Sequence, residues 1–289
     1  MMKFCVHAAA LLMFAAVGRL SAQWPTYKEP AVPRGPDGKV KMDAPMPRGP
    51  DGHPDLSGIW DFRNSRGIEG ENITVDGNPD TGTGLGPPPR QAFTPRFSQF
   101  FNIGATLKGG LPFRPLAAEL RARRAAENNK DNPDAHCLPL GLMQLHTHPQ
   151  PRKIIQTPAV TVILYEAQAG IRQIFTDGRP LPKPEVEPWW YGYSVGHWEG
   201  DTLVVETTGF RDDVWLDVEG SPLTNAGKMI ERFHRPNFGN LEIDITVDDP
   251  TAYTKPWTVK IRQRLLPDTE LIEFICNEND RSGPHLVGK

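Results

Sequence analysis

The sequence predicts a mainly-β fold: an antiparallel meander forming a closed or strongly curled lipocalin-like barrel, with one short amphipathic helix and a Pro-rich N-terminal arm. Three observations predict it. From Lys153 onward, runs of strand length rich in Val, Ile and aromatic residues follow one another, separated by turn residues, with no helical stretch between them. Residues 240–248 alternate Leu241, Ile243, Ile245 and Val247 with Glu242, Asp244, Thr246 and Asp248, the period of a strand with one wet face. Short turns between successive strands argue antiparallel neighbours, and a long meander hides its unpaired edges by closing.

The elements follow in order. Residues 1–22 have a basic start at Lys3, an apolar Ala/Leu-rich run over 6–17, and small residues at Ser21 and Ala22 before Gln23. This is the pattern of a cleaved secretory signal, which predicts a periplasmic or secreted protein. A spanning helix needs about 20 apolar residues, and Arg19 interrupts the run too soon. No later stretch is long and apolar enough to span. Residues 23–54 form an arm that carries the hexapeptide PRGPDG twice, at 33–38 and 47–52. Pro-Asp-Gly is turn chemistry, and so apolar-poor a segment buries little. It is either a flexible tether or an arm laid over the domain.

Residues 55–289 form a single barrel-like domain. It opens with DLSGIWDF, and residues 64–96 read as loop. Residues 115–128 read as a helix: Pro115 suits a first turn, and Leu116, Leu120 and Ala117 make a weak apolar stripe. Strands are expected at 153–157, 159–167, 171–176, 191–198, 202–210, 228–235, 240–248, 257–266 and 270–277. Asp177-Gly178 is a hairpin-type turn signal, and residues 199–201 read as a tight hairpin.

Without Lys3 and Arg19 the 32 basic residues fall to 30 against 35 acidic ones, a formal charge of −5. Nucleic-acid binding wants a basic face and is disfavoured. Cys137 and Cys276 remain after the leader, 139 positions apart, and an oxidising compartment favours pairing them. No GxSxG, HExxH, P-loop, GxGxxG or CxxC motif is present, which disfavours serine-hydrolase, zincin, nucleotide-binding and thioredoxin-like readings.

PDLSGIWDF (54–62), GHWEGDTLVVETTGF (196–210), DDPTAYTKPWT (248–258) and CNEN (276–279) together resemble a family of uncharacterised exported bacterial proteins. The resemblance covers nearly the whole mature chain and implies export, but no established activity. Gly58-Ile59-Trp60 resembles the Gly-x-Trp that opens lipocalin-type barrels, which implies that Trp60 plugs one barrel end.

Several residues are candidates for chemistry. His146 and His148, at i, i+2, share a face if they lie on a strand; a divalent metal would then take Glu166, His197 or His234 as a third ligand. The alternative is a loop pair beside Pro149 and Pro151, with no cofactor. Tyr191, Tyr193, Val195 and His197 share one face of their strand, and Gly192, Ser194, Gly196 and Trp198 the other. If the first face points inward, it supplies rings and an imidazole to a ligand pocket. Glu206 interrupts an apolar run; Arg232 and His234 share a face, with Glu231 on the other. An inward Glu206 would need Arg232, and beside His197 or His234 it would act as a general base. The alternative is a cross-strand ion pair on the wet face.

These features favour an exported binding protein that holds a small apolar or carbohydrate-like ligand among rings such as Trp60, Tyr191, Tyr193 and Trp198, with Arg232. The alternative is an exported lyase, isomerase or hydrolase using His197, His234 and Glu206, with or without a metal on His146 and His148. A third reading is an envelope interaction protein that reaches out with its arm.

Overall fold

A computed structural model describes residues 28–62, 98, 103–183, 187–276 and 278. The expected leader, residues 1–22, lies outside the described residues. The strands are β1 (Gly58–Phe62), β2 (Arg152–Gln156), β3 (Val160–Tyr165), β4 (Gly170–Phe175), β5 (Tyr193–Glu199), β6 (Thr202–Thr208), β7 (Val214–Trp215), β8 (Pro222–Leu223), β9 (Lys228–Asn237), β10 (Asn240–Asp248) and β11 (Trp257–Leu265). Two α-helices accompany them, α1 (Pro115–Ala126) and α2 (Leu142–Thr147). Nine strands close into one barrel in the order β1-β11-β10-β9-β6-β5-β4-β3-β2, and β7 and β8 make a separate two-stranded ribbon. Among the described residues no helix is long and apolar enough to cross a membrane.

The closed mainly-β barrel matches the expected fold class, with one difference. A ring of nine strands cannot alternate direction all the way round, so one neighbouring pair must be parallel. That pair is β4 and β5, with Ile174 opposite Ser194 and Phe175 opposite Val195. Asp177-Gly178 therefore does not close a hairpin. Pro180 and Pro182 follow it and cannot donate to a ladder, so the chain crosses over and re-enters alongside β4. Residues 270–276 also form no strand; this segment is tied down instead by the bonded pair Cys137–Cys276, whose Cα atoms lie 5.5 Å apart.

Alternation sorts the barrel walls. Leu241, Ile243, Ile245 and Val247 of β10 are fully buried, while Glu242 and Asp244 stand outside and pair with Lys260 of β11. Each such buried aliphatic contributes about 1.5–3 kcal/mol relative to exposure. On α1 only Ala117 is buried and Leu116 is 79% exposed, so the expected Leu116/Leu120 stripe is not what docks this helix. Arg124 docks it instead, over the Trp215 ring and on the Gly220 carbonyl.

Both barrel ends are covered. At one end Trp60 is completely buried and donates from Nε1 to the Leu56 carbonyl at 2.9 Å, with the Arg235 guanidinium 4.9 Å over its ring. The arm lies across this end: Ala44 and Met42 accept from the amides of Phe238 and Gly239 at 2.8 and 2.7 Å. The repeated hexapeptide makes the same turn twice. Gly35 and Gly49 each donate to the carbonyl four residues on at 2.8 Å, and Gly38 and Gly52 take positive φ. The equivalent arginine of each turn then grips an aspartate of the barrel with two bonds, Arg34 on Asp268 and Arg48 on Asp201.

The opposite end is stoppered by α2, all six of whose residues are buried. Gly141 lets it enter: a Cβ there would stand 2.1 Å from the Trp215 carbonyl oxygen. At its C-terminus Arg152 of β2 donates to the carbonyls of His146, His148 and Gln150 at 2.7, 2.8 and 2.7 Å. A cation at that pole satisfies carbonyls the helix leaves open.

Candidate functional site

The polar groups inside the barrel converge on one side chain delivered by the stopper. On β9 the inward positions are Met229, Glu231, Phe233 and Arg235, so Glu231 is a carboxylate in a stripe that also carries apolar side chains. It is wholly buried and survives there through its partners. His146 Nε2 lies 2.6 Å from Glu231 Oε1, and the Arg172 guanidinium of β4 holds both carboxylate oxygens, Nη1 on Oε1 at 2.9 Å and Nη2 on Oε2. The remaining Arg172 donors go to hydroxyls: Nε to Ser194 Oγ at 3.2 Å, and Nη2 to Ser194 Oγ at 3.1 Å and Thr207 Oγ1 at 3.0 Å. Ser194 and Thr207 are 2.9 Å from one another. Strands β4, β5, β6 and β9 thus each contribute one member, and α2 contributes the histidine.

Protonation follows from this geometry. Burial alone would push the Glu231 carboxyl up, but the Arg172 charge and the His146 hydrogen bond outweigh it and hold the group at about 2. Burial also lowers His146, against the pull of Glu231, so the ring is neutral at pH 7. With an ionised carboxylate 2.6 Å from Nε2, the single ring proton sits on Nε2. Arg172 Nη1, 3.3 Å from Nε2, is then a second donor sharing the same carboxylate oxygen.

The Nδ1 lone pair is left facing the interior. It is buried and has no hydrogen-bond partner in the protein, and neither has Gln263 Oε1; the buried Tyr165 hydroxyl meets the Arg172 side chain. The Tyr165 ring of β3 is 6.1 Å from the His146 ring, and Gln263 of β11 donates from Nε2 to the His146 carbonyl at 3.3 Å. Burial raises the Tyr165 phenol, which is therefore a neutral O–H. Tyr191 flanks it at 6.4 Å, its own phenol pushed up to about 12 by burial. An unpaired buried polar atom costs about 1–3 kcal/mol, so His146 Nδ1 is an acceptor that a bound polar group would satisfy.

The residues singled out from sequence fall elsewhere. Glu206, Arg232, His197 and His234 stand on the outer face. Glu206 pairs with Lys228, Arg232 with Glu199 at 2.8 Å, and His197 with Glu199 at 3.3 Å; His234 is exposed. The wet-face ion pair is the arrangement found, not a buried Glu206–Arg232 pair. On β5 it is Ser194 that faces inward, and Tyr193 packs outside between Phe175 and Trp189, at 5.3 and 5.5 Å. Trp198 is half-buried and stacks on His53 of the arm at 4.7 Å. His146 and His148 lie on a helix and its cap rather than a strand, so they diverge: His146 enters the barrel, while His148 Nδ1 accepts from the Gln150 amide at 3.3 Å. Glu166 accepts from the Ile272 amide at 3.1 Å. Among the described residues no three His, Cys, Asp or Glu side chains come together as a metal site.

Of the predicted set, His146 and Trp60 are inside, and Tyr191 is partly buried against the core. Glu231, Arg172, Tyr165, Ser194 and Thr207 were missed. A signal existed for Glu231, a charge between Met229 and Phe233 on the face opposite Arg232. None existed for Arg172: in GIRQIF the two isoleucines have opposite parity, and Ile171 is the one exposed, at 61%. No family model, curated protein or solved structure matches the chain.

Proposed function

We propose that this chain is an exported binding protein that holds a small, partly apolar molecule inside the β-barrel, against His146. The observation that carries the reading is His146 itself: its Nε2 is held 2.6 Å from Glu231 inside the barrel, and its buried Nδ1 has no partner in the protein. Apolar walls with a few fixed polar groups are what a small-molecule site requires. Phe233, 6.0 Å from the His146 ring, and the Tyr165 and Tyr191 rings supply the apolar part. The lone pair at Nδ1 selects a ligand with a hydroxyl or N–H donor, and the Tyr165 hydroxyl suits a ligand oxygen. The leader pattern and the Cys137–Cys276 bond support export.

The test is to purify the full chain from its own host, denature it, and identify by mass spectrometry any small molecule released in stoichiometric amount. The released compound should quench tryptophan fluorescence saturably when returned to the protein, and H146F should weaken it at least tenfold. Release of nothing, with no saturable response to a library of small hydroxylated compounds, overturns the reading. Sequencing the N-terminus of the exported protein tests cleavage before Gln23.

A further inference from the structure

We infer that His146 is a general base, and that the interior site performs proton-shift chemistry on an enolisable carbonyl compound. The inference rests on the proposed binding site and adds a reaction to it. Its ground is the arrangement around one ring. His146 donates Nε2–H to Glu231 at 2.6 Å, and Arg172 grips the carboxylate through both oxygens, so the imidazole cannot rotate and its Nδ1 lone pair has one direction. A carboxylate behind an imidazole stabilises the imidazolium that forms when the far nitrogen takes a proton. Ligand binding alone does not require that backing, since a hydrogen bond to Nδ1 needs no charge behind it.

The hydroxyls define the reaction class. Ser194 and Thr207 are occupied by Arg172 and by one another, so neither is a free nucleophile. The Tyr165 O–H is buried and neutral, its ring is 6.1 Å from that of His146, and Arg172 meets its oxygen, which leaves its proton to donate. One base, one neutral acid and no nucleophile fit proton transfer rather than acyl or glycosyl transfer. His146 Nδ1 takes the proton from the carbon beside a carbonyl. The C–H electron pair becomes the C=C of an enolate, the carbonyl pair moves to oxygen, and that oxygen accepts a hydrogen bond from Tyr165. The imidazolium then returns the proton to another atom of the enolate. Nothing is oxidised, and no co-reactant is consumed. His146 and Tyr165 are the catalytic residues; Glu231 and Arg172 are positioning residues.

The test uses the full chain and a probe that needs only a buried base, nitrobenzisoxazole. Its C–H proton goes to the base, a nitrile forms, the N–O bond breaks, and the coloured phenolate is followed by absorbance, while fluorescence quenching reports whether the probe binds. We expect turnover about 100-fold faster than an equal concentration of free imidazole, lost in H146Q. The charged and titratable groups facing His146 are Glu231 of β9, Arg172 of β4, Arg152 of β2 and Tyr165 of β3. The rate should stay level down through the ordinary histidine value of 6.5 and fall only at lower pH. E231Q should move that acid limb lower still, an effect that a purely structural role would not produce. If H146Q does not fold, the wild-type profile decides: a limb at the ordinary value means that any turnover does not come from His146 and overturns the inference. Saturable quenching without His146-dependent turnover overturns the base while the binding reading stands. Neither quenching nor turnover removes the interior site, and both readings with it.

Discussion

Replacing Glu231 with Gln keeps the shape of the side chain and removes its charge. Arg172 is then a guanidinium with a 1% exposed side chain left with neutral acceptors alone, among them the Ser194 and Thr207 hydroxyls and the new amide oxygen. Removing one partner of a buried ion pair costs about 3–5 kcal/mol, because the other charge is left uncompensated. The titration of Glu231 leads to a similar figure. A carboxyl held at about 2 rather than 4.5 corresponds to roughly 3 kcal/mol of preference for the ionised form, at 1.36 kcal/mol per unit. For a domain of this size each kcal/mol moves Tm by about 2–4 °C, so E231Q should lower Tm by on the order of 10 °C. Urea unfolding with the disulfide intact measures the loss, and the double variant R172M/E231Q should lose less than the two single losses added together. A loss below about 1 kcal/mol in E231Q would refute the reasoning, since it would mean that water reaches the pair.

Acidification should destabilise the fold in two overlapping windows. His146 and His148 are held below 6.5 by burial, His148 at about 4, so only the unfolded chain takes up their protons as pH falls below 6.5. Glu231 adds a loss that is absent above 4.5 and grows as pH falls toward 2. The urea midpoint should therefore be level above neutrality and decline steadily below it; a midpoint unchanged from pH 6.5 to 4 contradicts this. G141A should cost about 3 kcal/mol, the upper end for overpacking, because the Trp215 carbonyl 2.1 Å from the new Cβ is backbone and cannot swing away; near-native stability would show that α2 docks differently. The Cys137–Cys276 bond closes a separation of 139 residues, for which the chain-entropy model expects about 5 kcal/mol. C276S should lose most of that in urea, and an unchanged midpoint would show that the C-terminal segment is held by other contacts.

Much of the fold was legible because strand alternation is a local property. Residues 240–248 declare two faces, one of them apolar, and β10 obeys at every position. The disulfide was legible because only two cysteines lie beyond residue 22. The site was less so. In YSVGHWE both faces carry polar and apolar groups, so the pattern does not say which one meets the interior, and Ser194 rather than Tyr193 or His197 is the inward member. LMQLHT is too short for a helical period to show, and the two prolines after it suggest a loop. A histidine there becomes interior only because α2 is pushed into the barrel mouth past Gly141.

The sequence by itself determined that this chain forms two-sided strands, turns twice at PRGPDG and pairs its cysteines, since each of these depends on residues near in sequence or on a count of two. Tertiary structure alone decided which face of each strand is the inner one and that Glu231, Arg172 and His146 meet. Those outcomes depend on ring closure, which turns one face of every strand toward a common axis. They depend also on desolvation: an ion pair sealed from water must satisfy its members with one another, wherever along the chain they lie.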